Sequence, residues 1–154
     1  MAVTPIPEGY HTVVPYIVAD DAEGLLRFLK AGLGAAEHDV ARYPDGRIWH
    51  ADVIVGDSHI MLSQATDRHP GMPSTLYLYV PDADAAYRAA LAAGATSVME
   101  PATQFYGDRN AGVRDANGNF WDFGSHVEDV PPEERRRRQQ EEANTRTSPT
   151  RASG

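Results

Sequence analysis

The spacing of apolar residues along the chain switches between a helical period and a strand period, and these switches predict the elements. The apolar residues within Leu25–Leu29 recur at helical spacing, and the pattern runs from Asp21 to Gly34. Aspartate caps helix N-termini and glycine ends helices, so these two residues predict an amphipathic helix between them. The segment Ala83–Leu91 follows Asp82 in the same way and predicts a second, alanine-rich helix.

Short β-rich runs with turn signals follow both helices. RIWHADVIV and HIMLS flank the turn at Gly56–Asp57, and AGVRD and FWDFG flank Ala116–Gly118. Glycine beside Asp or Asn is a strong hairpin signal, so each pair of runs predicts two antiparallel strands. Additional strands are predicted near Glu37–Tyr43 and Thr96–Pro101.

The chain contains an internal repeat at an offset of 61 residues. The segment YIVADDAEGLLRFLKAGLGA begins at Tyr16, and its counterpart YLYVPDADAAYRAALAAGA begins at Tyr77. Asp21 and Asp82 occupy the same place in the two copies. Each copy reads β-α-β-β-β, and two such modules predict an α+β domain.

The composition changes after Val130. Residues 131–154 contain no apolar residue larger than alanine or proline, so this segment lacks the surface that a packed core requires. We therefore predict a domain over 1–130, with modules at about 10–66 and 72–130. The polar, Arg/Glu-rich tail after it is expected to be disordered or to form a short helix.

The charge is acidic and unevenly distributed. The net charge is −8, although residues 131–154 hold six arginines against four glutamates. An acidic body repels phosphate backbones, and the cluster Arg135–Arg138 is too small for nucleic-acid binding. The chain has no cysteine, no secretory signal pattern and no apolar stretch of the ~20 residues that span a bilayer. We expect a cytoplasmic protein with neither nucleic acid nor membrane as a partner.

Three segments carry a resemblance to a known family: VPYIVADDAEGLLRFLKAGLGA, YPDGRIWHADVIVGDSHIMLS and FYGDRNAGVRDANGNFWDFGSHVEDV. With the paired modules, they resemble the vicinal oxygen chelate superfamily and, within it, the PhnB-like branch. This superfamily includes glyoxalase I, extradiol dioxygenases, fosfomycin-resistance enzymes and bleomycin-resistance binding proteins. The resemblance implies an eight-stranded, half-closed sheet around a cavity that is usually completed by a second chain or by the other half. We therefore expect a homodimer.

The resemblance also implies four metal-ligand positions, on the first and last strands of each module. In this sequence they fall on Val14, on Met61, near Thr75 and on Asp122. Catalytic divalent ions are held by about three protein donors, and only Asp122 offers a suitable one here. We predict no metal site and no cofactor, with a divalent metal as the disfavoured alternative.

The candidates for catalysis are His50, Asp52, Asp122 and His126. A two-residue turn at Gly56–Asp57 sets Asp52 opposite Met61 and His50 opposite Ser63, on the face that the family position implies for the cavity. A His and an Asp two apart on one strand face can act as an acid–base pair or supply two metal ligands. They can equally be hydrogen-bonded groups that shape the sheet.

The second module leaves similar alternatives open. Asp122 is a catalytic base, a former ligand position, or an ion-pair partner of Arg114 or Arg109. His126 follows the last predicted strand, where it either caps the structure in contact with solvent or closes the rim of the cavity. His11, His38, His59 and His69 show no spacing typical of ligands, and we interpret them as surface or structural residues.

Aromatic residues suit both a core and a small-molecule pocket. Tyr106–Arg109 resembles a loop over that pocket, where Arg109 would hold an anionic substituent or form an ion pair within a rigid rim. The predicted ligand-binding residues are Trp49, Met61, Ser63, Tyr106, Arg109 and Trp121.

Three functions are compatible with these patterns. The first is a metal-independent, bleomycin-resistance-like protein that binds a small organic molecule. The second is a metal-dependent lyase, isomerase or dioxygenase of the glyoxalase type with atypical ligands. The third is an interaction protein that docks a partner through its acidic body or Arg-rich tail. We favour them in that order, and whether the protein is an enzyme stays open.

Overall fold

A computed structural model describes residues 2–147 of the chain. The elements, in chain order, are β1 (Tyr16–Ala19), α1 (Ala22–Leu33), β2 (Ala36–Arg42), β3 (Ile48–Val55), β4 (Ser58–Gln64), β5 (Thr75–Tyr79), α2 (Ala83–Ala92), β6 (Thr96–Thr103), β7 (Asp108–Arg114), β8 (Phe120–His126) and α3 (Pro132–Thr147). Both predicted helices, both hairpins and the additional strands are confirmed.

The eight strands form two four-stranded sheets with the same topology. Their strand orders are β1-β4-β3-β2 and β5-β8-β7-β6. In each sheet the first strand runs parallel to the last strand of its module, and the other pairs are antiparallel. This identity of order confirms the α+β fold with two β-α-β-β-β modules, which the repeat predicts.

The predicted capping residues begin both helices of the domain. The Asp21 carboxylate accepts a hydrogen bond from the Gly24 N–H, and Asp82 accepts one from Ala85. Each bond satisfies one of the N–H groups that have no partner inside the helix. Gly34 ends α1 in the left-handed conformation, with a φ of 67°, which glycine adopts without steric cost.

The two modules pack together through their helices. α1 lies along α2, and the Phe28 and Trp121 rings, one from each module, have centroids 6.2 Å apart. Gly32 makes the approach close, because a Cβ atom there would lie 3.1 Å from the Ala93 side chain. Each helix covers one face of its own sheet, so the other face of each sheet, here called the open face, is turned away from this core.

A buried carboxylate organises the last hairpin. Asp115 accepts hydrogen bonds from the backbone N–H groups of Asn117 and Asn119. It also accepts from the Asn119 side chain and from the indole N–H of Trp121. Since Trp121 is fully buried, this bond satisfies a donor that water cannot reach.

The same hairpin joins the two modules. The side chain of Asn117 accepts a hydrogen bond from the Asp21 N–H and donates one to the Asp21 carbonyl, across 96 residues of sequence. These bonds place the tip of the second module against the start of α1 in the first. The relative position of the modules therefore depends on polar contacts as well as on the helix pair.

The described part of the tail forms α3, which makes no apolar contribution to the core. Arg138 tethers it, because its guanidinium donates to the Glu128 carboxylate and to the Phe105 carbonyl. Residues 148–154, which the tail prediction includes, lie outside the described residues. None of the helices in the described chain has the length and apolarity needed to cross a membrane.

Replacing the buried hairpin carboxylate should destabilise the fold. In Asp115→Ala the Trp121 indole and the Asn119 amide lose their acceptor, and unsatisfied buried donors cost about 1–3 kcal/mol each. We expect the free energy of unfolding to fall by about 3 kcal/mol in urea titrations followed by circular dichroism. Asp57→Ala is the matched control, because this exposed hairpin residue bonds only the adjacent Ser58 side chain. Equal losses in the two variants would contradict the role of Asp115.

Candidate functional site

The open face of the first sheet carries several of the predicted site residues. Asp52 lies opposite Met61 across the two-residue turn, as predicted. The His50 ring lies 5.7 Å from the ring of Tyr16, which comes from β1. Tyr16 and His50 give this face a mixed aromatic and polar character, whereas Asp52 is buried.

An irregularity in β3 exposes Trp49. Ala41 pairs with His50 and Arg42 pairs with Ile48, so Trp49 is an extra residue in the strand, a β-bulge. Regular alternation would have placed Trp49 on the same face as the buried Ala51. Instead it is 60% exposed.

Trp49 borders a groove of about 300 Å³ on this side of the sheet. The groove is lined by Tyr16, Val18, Tyr43, Trp49, Ser63, Gln64, Thr66 and His69. The Tyr43 and Trp49 rings lie 6.0 Å apart and tilted. Flat aromatic walls with a few polar groups are typical of sites for small organic molecules.

Asp52 has a partner that the sequence does not predict. Its carboxylate lies 2.8 Å from Nδ1 of His59 and accepts a hydrogen bond of 2.5 Å from the Tyr10 hydroxyl. The Tyr10 ring stacks on His59 with centroids 3.8 Å apart. The interpretation of His59 as structural fits this buried position, and no hydrogen bond or ring contact joins Asp52 to His50 in the described structure. Tyr10 is 42 residues from Asp52, and no local pattern points to this contact.

A second buried carboxylate organises the open face of the second sheet. Asp108 accepts hydrogen bonds of 3.1 Å from the hydroxyls of Tyr77 and Tyr79, and lies 2.9 Å from Nδ1 of His126. Burial opposes ionisation of Asp108, but the bonds from His126 and the two phenols outweigh it and lower the pKa of the carboxyl. Burial and the bond to this carboxylate raise the pKa of Tyr77.

Two glycines on this face make room for functional side chains. Any side chain at position 124 would collide with the Tyr77 ring, so Gly124 allows that ring to lie directly on β8. Across the sheet, a Cβ atom at Gly112 would lie 2.7 Å from the Asp122 carboxylate. Neither glycine stands out in the sequence, because the close approach comes from neighbouring strands.

Asp122 lies in the middle of this face without a hydrogen-bond donor from the described residues. It sits on β8 opposite Tyr77 and Gly112. Burial raises the pKa of its carboxyl, since no donor or cation compensates for the loss of water. Neither arginine considered as its partner pairs with it: Arg114 lies over the Phe120 ring and Arg109 binds Asp84.

Tyr106 lies in the turn before β7, next to the second open face. Its hydroxyl accepts a hydrogen bond of 2.7 Å from the Asn110 side chain, which is itself held by Gln104. Burial raises the pKa of the Tyr106 phenol. The loop behind it is tight, because Gly107 has a φ of 99° and leaves no room for a side chain against the backbone at Glu128.

Two predicted ligand-binding residues lie away from the open faces. Arg109 alternates with Asp108 along β7, so it points towards α2, where it forms a bidentate ion pair with Asp84. Trp121 alternates with Asp122 along β8 and is fully buried in the core. The period of two residues in a strand places each of them on the helix side. Both are therefore removed from the candidate ligand set.

The residues at the family's metal positions do not form a donor set. Val14 has no donor atom, Met61 and Thr75 offer weak ones, and Asp122 supplies a single carboxylate. Across residues 2–147, no three His, Asp or Glu side chains converge as a metal site requires. The buried His59–Asp52 pair is already satisfied by mutual contact and by Tyr10.

Removing the charge of Asp122 should stabilise the protein in a pH-dependent way. Because burial raises its pKa, the folded state disfavours the carboxylate, and stability falls as pH rises from the unfolded pKa through the folded one. Asp122→Asn should therefore have a higher free energy of unfolding than the wild type at about pH 7. Near pH 3 the two proteins should not differ, because the side chain at position 122 is then neutral in both. Urea titrations at the two pH values measure this, with Asp57→Asn as the surface control. A less stable variant at neutral pH would show that Asp122 has a stabilising partner.

Comparison with known sequences supports the family assignment. Residues 10–123 match the model of the Glyoxalase/Bleomycin resistance protein/Dioxygenase superfamily. The uncharacterized protein Rv0887c of Mycobacterium tuberculosis is 33% identical over 127 residues, which cover 75% of each chain. The uncharacterized protein Mb0911c of Mycobacterium bovis is also 33% identical over 127 residues, 75% of this chain and 84% of that protein.

Solved structures share the fold. TioX from Micromonospora sp. ML1 has a TM-score of 0.64 and 24% identity, covering 76% of this chain and 99% of its own. TnmS3 from Streptomyces sp. CB03234, described as an antibiotic binding protein, has a TM-score of 0.61 and 20% identity, covering 82% and 99%. Matched modules, topology and sequence show that the chain belongs to the glyoxalase/bleomycin resistance protein/dioxygenase superfamily.

Proposed function

We propose that this protein binds a small organic molecule with a flat aromatic part, and that it does so without the metal ion of the glyoxalase enzymes. The observation that carries the proposal is the exposed Trp49 at the groove of the first open face. Trp49 is 60% and Tyr16 is 50% exposed, and both border the same groove.

Leaving these rings in water has a cost that a ligand would remove. Burial of apolar surface contributes roughly 25 cal/mol per Å², and stacked aromatic pairs add about 0.5–1.5 kcal/mol. The hydroxyl of Ser63, which lines the groove, supplies a polar group that would orient a ligand. The groove thus offers both affinity and orientation.

The metal-independent part of the proposal rests on the chemistry of the donor set. Val14 and Met61 stand where the first module of a metal enzyme would supply ligands, and neither is a hard donor. Asp122 alone would hold a divalent ion weakly, because such sites use about three protein donors.

A structural relative supports binding as a function of this fold. TnmS3 is described as an antibiotic binding protein, and the chain covers 99% of it at 20% identity. At that identity the likeness extends to the fold alone. The ligand class proposed here comes from the aromatic groove, and the relative shows that the same architecture serves a binding protein.

We also infer that two copies associate and complete the cavity. Val13 is 80% and Tyr79 is 70% exposed, and both line an open groove of about 780 Å³ beside β5. Apolar groups grouped in this way are typical of interfaces between chains. A second copy placed there would also cover β5, an edge strand of its sheet.

A second candidate function is a metal-dependent lyase, isomerase or dioxygenase, and Asp122 is the observation that favours it. A carboxyl with a raised pKa and no donor is suited to proton transfer. Tyr77 and His126 lie on the same face as potential partners. Metal analysis of protein purified without added metal separates the two functions, because the enzyme requires a stoichiometric divalent ion.

Truncating Trp49 should weaken the binding of an aromatic probe. The uncharged fluorescent dye N-phenyl-1-naphthylamine has flat aromatic rings and fits the proposed ligand class. In Trp49→Ala its affinity should fall about tenfold, in line with the loss of one stacked ring, and Trp49→Phe should retain most of it. Dye emission at increasing protein concentration gives the affinity.

Val98→Ala is the matched control for this experiment. Val98 is an exposed apolar residue on β6, outside the groove. Its truncation should leave the affinity for the dye unchanged. Equal losses in the Trp49 and Val98 variants would contradict the proposed site, since the dye would then be reporting general apolar exposure.

A charge in the inferred interface should dissociate the dimer. The wild type should sediment with twice the 16.8 kDa mass of one chain. In Val13→Asp, desolvation of the new carboxylate should weaken association by at least about tenfold, measured by sedimentation equilibrium. Val127→Asp, at an exposed apolar residue outside the groove, is the control. A monomeric wild type would rule out the inferred association.

A further inference from the structure

We propose a second ligand site, in which His126 and Arg135 bind the carboxylate of a small organic acid in a cavity between the end of β8 and α3. This goes beyond the proposed function, because the cavity shares no lining residue with the Trp49 groove and can bind independently of it. The residues that carry it lie at the junction between the family domain and the tail.

The site is a cavity of about 360 Å³. It is lined by Tyr106, His126, Asp129, Val130, Pro131 and Arg135. Val130, Pro131 and the Tyr106 ring contribute apolar lining. The His126 imidazole and the Arg135 guanidinium contribute cationic groups, so the cavity suits a carboxylate attached to a flat apolar group.

Both ring nitrogens of His126 contact carboxylates, one of them buried and the other exposed. Its Nδ1 lies 2.9 Å from the buried Asp108 carboxylate, which fixes the ring. Nε2 points the other way, towards the cavity residue Asp129. The hydrogen bonds to Asp129 and Asp108 raise the pKa of His126, so the ring acts as a cationic donor over a wider pH range than a free histidine. The Asp108 carboxylate also accepts hydrogen bonds from two phenols. These bonds stabilise its negative charge and reduce its repulsion of a bound carboxylate.

A carboxylate from the protein itself already occupies the position proposed for the ligand. Asp129 lies 2.7 Å from Nε2 of His126, and its side chain is fully exposed to solvent. An exposed ion pair of this kind contributes little to stability, so a ligand can replace it at small cost. The contact shows that a carboxylate fits at Nε2 of His126, and the carboxylate of a ligand would replace Asp129 there.

Arg135 supplies the second cation. It is carried over the cavity by the first turn of α3, where its N–H bonds the Pro131 carbonyl. Arg137 and Arg138 are engaged with glutamates, whereas the guanidinium of Arg135 makes no ion pair within residues 2–147. An arginine fork beside an imidazolium matches the two oxygens of a carboxylate.

Contacts between α3 and the domain hold Arg135 in a defined position. Arg138, one helical turn later, binds Glu128 and the Phe105 carbonyl on the rim loop of the domain. The tail is thereby joined to the loop that carries Tyr106. This gives the Arg-rich tail a role that its sequence alone does not indicate.

Benzoate and its neutral isostere benzamide test the proposal on the full-length protein. Titration at about pH 6 keeps the His126 ring charged, and the NMR signals of its ring protons report binding. Benzoate should shift these signals and benzamide should not. In Arg135→Ala the affinity for benzoate should fall about tenfold, the loss of one charge-assisted hydrogen bond.

Two further variants make the experiment specific. Arg136→Ala removes the adjacent arginine, which does not line the cavity, and should leave benzoate affinity unchanged. Asp129→Asn removes the competing carboxylate and should strengthen benzoate binding by roughly fivefold. Equal binding of benzamide, or equal losses in the Arg135 and Arg136 variants, would overturn the proposal.

The outcome is separable from that of the proposed function. Binding of the uncharged dye at the Trp49 groove is measured independently, and Arg135→Ala should leave it unchanged because the dye has no anionic group. If the dye binds as expected and benzoate does not, the carboxylate site fails and the aromatic site stands. If benzoate binds and the Trp49 variant binds the dye as well as the wild type does, the aromatic site fails and the carboxylate site stands.

Discussion

Each four-stranded sheet in this protein has a single helix, and one helix covers one face of a sheet. The helix sides of both sheets meet through α1 and α2 and form the core, in which Trp121 and Phe123 are buried. The open faces are left to water, to ligands or to another chain. Polar and charged side chains of the strands collect on the open faces because the helix sides form the apolar core. Every candidate site residue that stays accessible follows from this constraint.

Three buried carboxylates, two on the open faces and one in the last hairpin, are stabilised by several hydrogen bonds each. Asp52, Asp108 and Asp115 each accept hydrogen bonds from several donors, so their charges are distributed over tyrosines, histidines, amides and an indole. Burying an ion without such partners is expensive. Asp122 is the contrast, because it has no donor within the described residues and its pKa rises as a consequence. A residue that costs stability in this way is a stronger functional candidate than one that is fully satisfied.

The two proposed sites differ in their relation to the family match. Residues 10–123 match the superfamily model, and the aromatic groove lies within that range. His126 and Arg135 lie beyond it, on the end of β8 and on α3. The proposed carboxylate site therefore depends on residues that follow the matched region, whereas the proposed aromatic site does not. A difference of this kind is how one architecture can serve several ligands.

Much of the fold followed from local sequence patterns. The repeat at an offset of 61 residues predicts two identical modules, the Asp caps begin both helices, and the turn at Gly56–Asp57 sets Asp52 opposite Met61. These features depend on residues close together in the chain, whose backbone preferences decide the outcome. Strand alternation also turns Arg109 away from the side of β7 that carries Asp108, and Trp121 away from the side of β8 that carries Asp122. The two predicted ligand residues Arg109 and Trp121 therefore lie on the helix side.

Other features were decided by the tertiary structure alone. The bulge that exposes Trp49 arises from a mismatch between two paired strands, and a single strand cannot show it. Tyr10 reaches Asp52 from 42 residues away, and Arg138 places α3 on a loop 33 residues before it. Contacts of this range depend on where the whole chain goes rather than on its local periodicity. The sequence by itself therefore determined the two modules and their elements, and only long-range packing decided which side chains became a site.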